Sequence, residues 1–124
     1  MFAVDFIGEP FGYTDYFDTL HVKGRANIPV FLDSQFYHGW LSLIDGPPPT
    51  EFYEVDIIQH NFSINRHDGY VNGLFLDWSV RKVGLKELWT LKWNRKWDTA
   101  NRWTRAGGVR PKDWPEWMRN FKDY

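Results

Sequence analysis

Residues 61–83 read Asn61-Phe62-Ser63-Ile64-Asn65-Arg66-His67-Asp68-Gly69-Tyr70-Val71-Asn72-Gly73-Leu74-Phe75-Leu76-Asp77-Trp78-Ser79-Val80-Arg81-Lys82-Val83, and their patterning decides the fold. Asn61–His67 alternates apolar and polar side chains, the period of a half-buried strand. Asp68-Gly69 favours the left-handed backbone of a two-residue hairpin turn, so residues 70–77 are expected to return as a second strand. A second tight turn near Trp78-Ser79 leads into residues 80–83. The expectation is a three-stranded antiparallel meander over residues 61–83. Such a sheet must bury one face against another layer, normally a helix.

That helix is expected next. Leu85, Leu88 and Trp89 share a helical face, and Trp89, Trp93 and Trp97 repeat at i, i+4 and i+8. The spacing predicts one amphipathic helix over residues 84–97. Upstream, Ile28–Asp33 is a short apolar run with Pro29 near its start. Proline cannot donate to a ladder, so Pro29 is placed at the strand start or on an edge. Residues 1–27 show no period and read as an irregular, aromatic-anchored lead-in. Asp45-Gly46-Pro47-Pro48-Pro49 is a stiff loop. Residues 98–124 form an irregular, ring-rich wrap, with a short helix expected at Asp113 or Trp114 and Pro115 in its first turn. The whole is one α+β domain, residues 1–124.

Composition agrees with a folded domain. The chain has 124 residues, 43% hydrophobic and 25% charged, which excludes a disordered tail, a collagen-like fibre or a coiled coil. Its unusual feature is 19% aromatic content, with eight Trp, a strong drive to fold or to associate. No apolar run approaches the roughly 20 residues of a membrane helix. Met1–Pro10 has no basic region and carries Asp5 and Glu9, so no signal peptide is expected there. Without cysteine, disulfides, thiolate metal sites and cysteine nucleophiles are excluded.

The net charge of −1 conceals two opposed halves. Residues 1–62 carry two basic and nine acidic side chains, net −7, and residues 63–124 carry thirteen basic and seven acidic, net +6. A basic half can meet nucleic acid, but here the acidic half is a nearer partner, within the fold or between subunits. Self-neutralisation is favoured over a nucleic-acid patch.

Catalytic signatures are missing from the sequence. His21, His38, His60 and His67 fit no helical metal spacing, and a lone histidine is more often hydrogen-bonded surface than ligand. Asp33, Asp45, Asp56, Asp68 and Asp77 fall at turns or strand ends, where carboxylates cap backbone. No serine lies in a Gly-x-Ser-x-Gly elbow, and Gly107-Gly108 lacks the strand and spacing of a phosphate loop. Asn61-Phe62-Ser63 matches a glycosylation sequon, a common and weak pattern. Trp89, Trp93, Trp97, Trp103, Trp114 and Trp117 are the interaction candidates. The first four, interleaved with Lys92, Arg95, Lys96, Arg102 and Arg105, are able to stack bases or sugar rings. A ring at every fourth position is more often a core stripe, so packing or subunit contact ranks ahead.

His67, nine intervening residues and Asp77 resemble the signature of the prepilin-type processing-associated H-x9-DG family, pseudopilin-like proteins of type II secretion. Asp68 and Gly69 belong to the same motif region. Where many members have Gly after the Asp, this chain has Trp78. The run Leu74–Trp93 resembles a subgroup in which Asp-Trp-Ser is normal, and Asp113–Phe121 resembles that subgroup's ending. Asn27–Asp33 resembles an upstream family strand. The resemblance covers residues 23–124.

It implies a pilin-like head, an antiparallel sheet that packs on a long N-terminal helix anchoring the subunit. This sequence contains no such helix, which leaves a truncated head, a fragment of a longer reading frame or a free-standing derivative. The implied location is the cell envelope or the exterior, and the implied partners are further copies or other pilin-like subunits. The expected function is structural and non-enzymatic, through subunit contacts. The alternative is a carbohydrate-binding module presenting Trp platforms to envelope or extracellular glycans. Some major pseudopilins bind calcium in a C-terminal loop. No ligands for it are assigned here, and no catalytic or metal residue or other cofactor is expected.

Overall fold

The computed structural model describes residues 2–3, 17, 19–34, 46–51 and 62–124. Four antiparallel strands form one sheet in the order of the chain: β1 (Phe2–Ala3), β2 (Pro29–Leu32), β3 (Tyr70–Phe75) and β4 (Val80–Gly84). Pro29 opens β2, where its missing N–H is harmless, and the register slips between Pro29 and Phe31. Phe2–Ala3 pairs with Leu32 and Phe31, so the lead-in contributes an edge strand that its sequence did not announce.

One face of the sheet is core. Leu32, Val71, Phe75 and Val83 are fully buried on it. Gly73 lies between them because a Cβ there would come within 2.7 Å of Leu32 Cδ2 and 3.2 Å of Phe75 and Val83. On the other face the register aligns Phe31, Leu74 and Val80 in a row across three strands. That row is only half covered, and Val80 is 67% exposed.

The meander expected over residues 61–83 is half correct. β3 and β4 pair as anticipated, with a turn at residues 76–79. Residues 62–67 are not a strand; the third strand beside β3 is β2, from 38 residues earlier in the chain. The reason is topological: β2 and β4 occupy both edges of β3, leaving no ladder for residues 61–67. Asp68 and Gly69 do adopt left-handed conformations, φ 52 and 85, but the turn is closed by Asn65, whose Oδ1 accepts the Gly69 N–H at 2.7 Å. Phe62 and Ile64 still reach the core as single anchors, Phe62 stacking on Trp93 with ring centres 5.5 Å apart.

The amphipathic α-helix over residues 84–97 does not form. A 3-10 helix spans Lys86–Thr90, and Leu91 is extended. Side chains take the carbonyls that an α-helix would use. The indole N–H of Trp93 donates to Leu88 O at 2.8 Å, while that of Trp97 and the amide of Asn101 both donate to Trp89 O. The backbone N–H of Lys92 turns away to Asn27 O at 2.8 Å. Tertiary partners thus override a weak local preference in a run rich in Trp, Thr and Asn. The Trp stripe is nevertheless core: Trp89, Trp93 and Trp97 are 0%, 4% and 5% exposed.

The C-terminal segment runs in short turns, and the single short helix expected from Asp113 or Trp114 is replaced by two, because Trp114 is extended between them. 3-10 helices at Pro111–Asp113 and Glu116–Met118 place Trp114 and Met118 in the core, with Pro115 before the second. The Trp117 indole donates to Pro48 O at 2.9 Å, which docks the proline loop on the wrap.

Candidate functional site

The β3–β4 turn is built by Asp77. Its Oδ1 accepts the Ser79 N–H at 3.0 Å and the Ser79 hydroxyl at 2.6 Å. These two bonds hold the Asp77 carboxyl below its ordinary value of 3.8, so it is charged at neutral pH. Between them the backbone reverses through Trp78, at φ 67. A left-handed conformation suits glycine and is strained for a bulky side chain. Trp78 is also 70% exposed. The chain holds its largest side chain in a strained turn and gains almost no burial from it.

His67 does not approach Asp77. Its Nε2 lies 3.3 Å from both Asp33 Oδ2 and Asn72 Nδ2. Asp33 Oδ2 in turn accepts the Asn72 backbone N–H at 2.8 Å and its side-chain amide at 2.9 Å. The motif residues therefore do separate jobs: His67 joins Asp33 and Asn72 beside mid-β3, and Asp77 shapes the far turn. The cluster continues β2–β3 pairing one residue past β2, since the Asp33 N–H donates to Asn72 O at 2.9 Å. It is half exposed. Among the described residues no three His, Asp or Glu side chains converge to hold a metal ion. His38, His60, Asp45, Asp56 and Asn61 lie outside the described residues.

Of the six candidate Trp residues, Trp89, Trp93, Trp97 and Trp114 are buried, and Trp103 and Trp117 are half-buried. Their rings meet in separate groups: Trp89 is edge-on to Trp114 at 5.4 Å with Trp103 tilted against Trp114 at 5.5 Å, Trp93 is tilted against Trp97 at 6.3 Å, and Trp117 is edge-on to Phe121 at 6.1 Å. None of the six is an exposed platform. Trp78, outside this set, is exposed, and the sequence marked its place as an expected tight turn.

At the opposite end of the β3–β4 hairpin lies an open cavity of about 350 Å³, lined chiefly by Tyr70, Gly84, Phe121, Lys122 and Tyr124, with Asp68 at its rim. Two glycines make room for it. A Cβ on Gly69 would meet Phe121 at 2.9 Å, and one on Gly84 would meet the Tyr124 hydroxyl at 2.5 Å. Burial, with the nearby Glu87 carboxylate and Tyr70, raises the Tyr124 pKa above 10.0. Lys86 holds this wall in place: its buried ammonium donates to Phe121 O at 2.8 Å and pairs with Asp123 Oδ1 at 2.7 Å.

Comparison with family models, with curated proteins and with solved structures returned no match. Among the described residues no helix is long and apolar enough to cross a membrane.

Proposed function

We propose that this chain is a non-enzymatic, subunit-type interaction domain that works through contacts between copies or with related subunits. The observation that carries the reading is Trp78, an exposed ring on a strained turn beside the half-covered row Phe31, Leu74 and Val80. Exposed aromatic and aliphatic side chains in one region mark interaction surfaces, and Trp is the side chain most enriched at binding hot spots. The burial of Trp89, Trp93, Trp97 and Trp114 supports a packing role for the stripe over a glycan platform.

The setting we infer is a pseudopilin-like assembly of the type II secretion kind, at the cell envelope or outside it. That part rests on the resemblance of His67, Asp77, the run Leu74–Trp93 and the ending Asp113–Phe121. The Gly-to-Trp departure after Asp77 fits a head that adds a contact residue at the hairpin tip.

Light scattering coupled to size-exclusion chromatography tests the reading. A mass that rises with protein concentration supports it. A monomer at every concentration, together with a blue shift in tryptophan emission on adding oligosaccharides, would favour the carbohydrate-binding alternative.

A further inference from the structure

Resting on the reading of the chain as a subunit-type domain, we propose that two copies pair face to face with antiparallel β3–β4 hairpins, each Trp78 entering the other's cavity at Tyr70, Phe121 and Tyr124.

Three features meet in this arrangement. The first is the projecting ring, 70% exposed at the turn end of the hairpin. The second is the receiving cavity at the open end. Tyr70 pairs with Gly84 there, and both share the outward parity of Asn72, Leu74, Val80 and Lys82. A Cβ on Gly84 would point to that outer face and meet Tyr124, so Tyr124 lies over the same face as the exposed row. A volume of about 350 Å³ is at the small end of ligand pockets, which run from ~300 Å³, and suits one aromatic side chain. Its walls are aromatic, and the Lys122 ammonium, 4.6 Å from the Tyr124 ring centre, adds a cation that an indole face attracts.

The third feature is the midpoint. Position 74 is halfway between Tyr70 and Trp78 along the chain, so a two-fold axis exchanging knob and cavity passes near the row Phe31, Leu74 and Val80. An isologous contact places each residue of the axis against its own copy, and an apolar row tolerates that where charges would not. The charges lie off the axis and are complementary. Asp77, ionised beside Trp78, meets Lys122 at the partner's cavity rim. Asp68 also lines the cavity, so Lys122 is the cation there that can offset both carboxylates.

Edge pairing of β4 with itself is the competing way to join two copies. Antiparallel pairing centred on Arg81 or on Lys82 would set that residue against its own copy across the join, like charges directly opposite. The sheet face, not its edge, is the contact.

A surface this small belongs to the weak class, below ~1,200 Å², so association is read by sedimentation up to ~1 mM protein. The wild type is expected to approach twice the monomer mass and stop. Trp78→Gly is expected to weaken the dimer about thirtyfold or more while melting at the same or a higher temperature, because glycine suits the turn. Lys122→Glu is expected to weaken it as well. A photo-crosslinker in place of Trp78, in a mixture of light and heavy isotope copies, is expected to join residue 78 to the 119–124 peptide of the other copy. A dimer unchanged by Trp78→Gly, or a mass that grows past two copies, overturns this pairing and leaves the subunit-type reading standing. A wild type still monomeric at ~1 mM overturns both.

Discussion

The ammonium of Lys86, fully buried, lies 2.7 Å from Asp123 Oδ1 and also donates to Phe121 O and Arg119 O. Its Nζ sits 5.1 Å from the centre of the Trp114 ring. One lysine thus ties the first 3-10 turn after the sheet to the last residues of the chain. Removing it strands a carboxylate and two carbonyls. Lys86→Met is expected to lower stability by about 3–5 kcal/mol. Urea denaturation reads this directly, and a loss below ~1 kcal/mol would show that the tail is held by other contacts.

The Trp stripe carries core energy. Trp89→Ala or Trp93→Ala removes a buried ring and leaves a cavity, at a cost of about 3–5 kcal/mol. Trp93→Ala additionally removes the shorter of the two bonds to Leu88 O, leaving the Leu91 N–H at 3.4 Å, and uncovers Phe62. Thermal melts check both, and a variant as stable as the wild type would contradict the packing described for the stripe.

Gly73→Ala tests the approach of β2 to β3. The new Cβ lies 2.7 Å from Leu32 Cδ2, a terminal methyl with no exposed surface to move into. Overpacking of this kind costs about 1–3 kcal/mol. Chemical denaturation is the measurement, and an unchanged midpoint would mean that Leu32 repacks freely.

Asp77 and Tyr124 respond at opposite ends of the pH range, and Asp113, held down by the Arg110 N–H, adds to the acid window. Asp77 has a lowered pKa in the folded chain because Ser79 donates to it twice. Its contribution is therefore present above its ordinary value of 3.8 and is lost as pH falls through the lower folded value. Tyr124 has a raised pKa through burial, so its contribution is full below 10.0 and is lost as pH rises beyond that. Stability against pH is expected to fall in both windows. Asp77→Asn should flatten part of the acid fall, and Tyr124→Phe should flatten part of the alkaline fall.

Much of the sheet was legible because its signals are local. Pro29 marks a strand start, the apolar pattern of Tyr70–Phe75 marks a strand, and the turn near Trp78-Ser79 follows from where that pattern breaks. Three things were not legible, each for a reason of contact at a distance. The alternation of residues 61–67 is genuine, but β3 has no free edge to receive it. The helical period of Trp89, Trp93 and Trp97 is genuine as well, yet the indole N–H groups claim the carbonyls a helix requires. The burial of Lys86 depends on Asp123, thirty-seven residues away. Of the site, the sequence marked His67 and Asp77 but not that His67 would meet Asp33 and Asn72. The turn at Trp78 was legible from where the pattern breaks, but the exposure of its ring was not, because that depends on what packs beside the turn.

Hydrogen exchange of the peptide spanning residues 76–83, compared between dilute and concentrated protein, tests the central claim most directly. Trp78 and Val80 lie within the proposed face-to-face contact, so the amides of this peptide should exchange more slowly as concentration rises, with peptides from Lys96–Gly108 unchanged. Equal exchange at both concentrations, alongside a monomeric mass, would contradict the account of this face as a subunit contact.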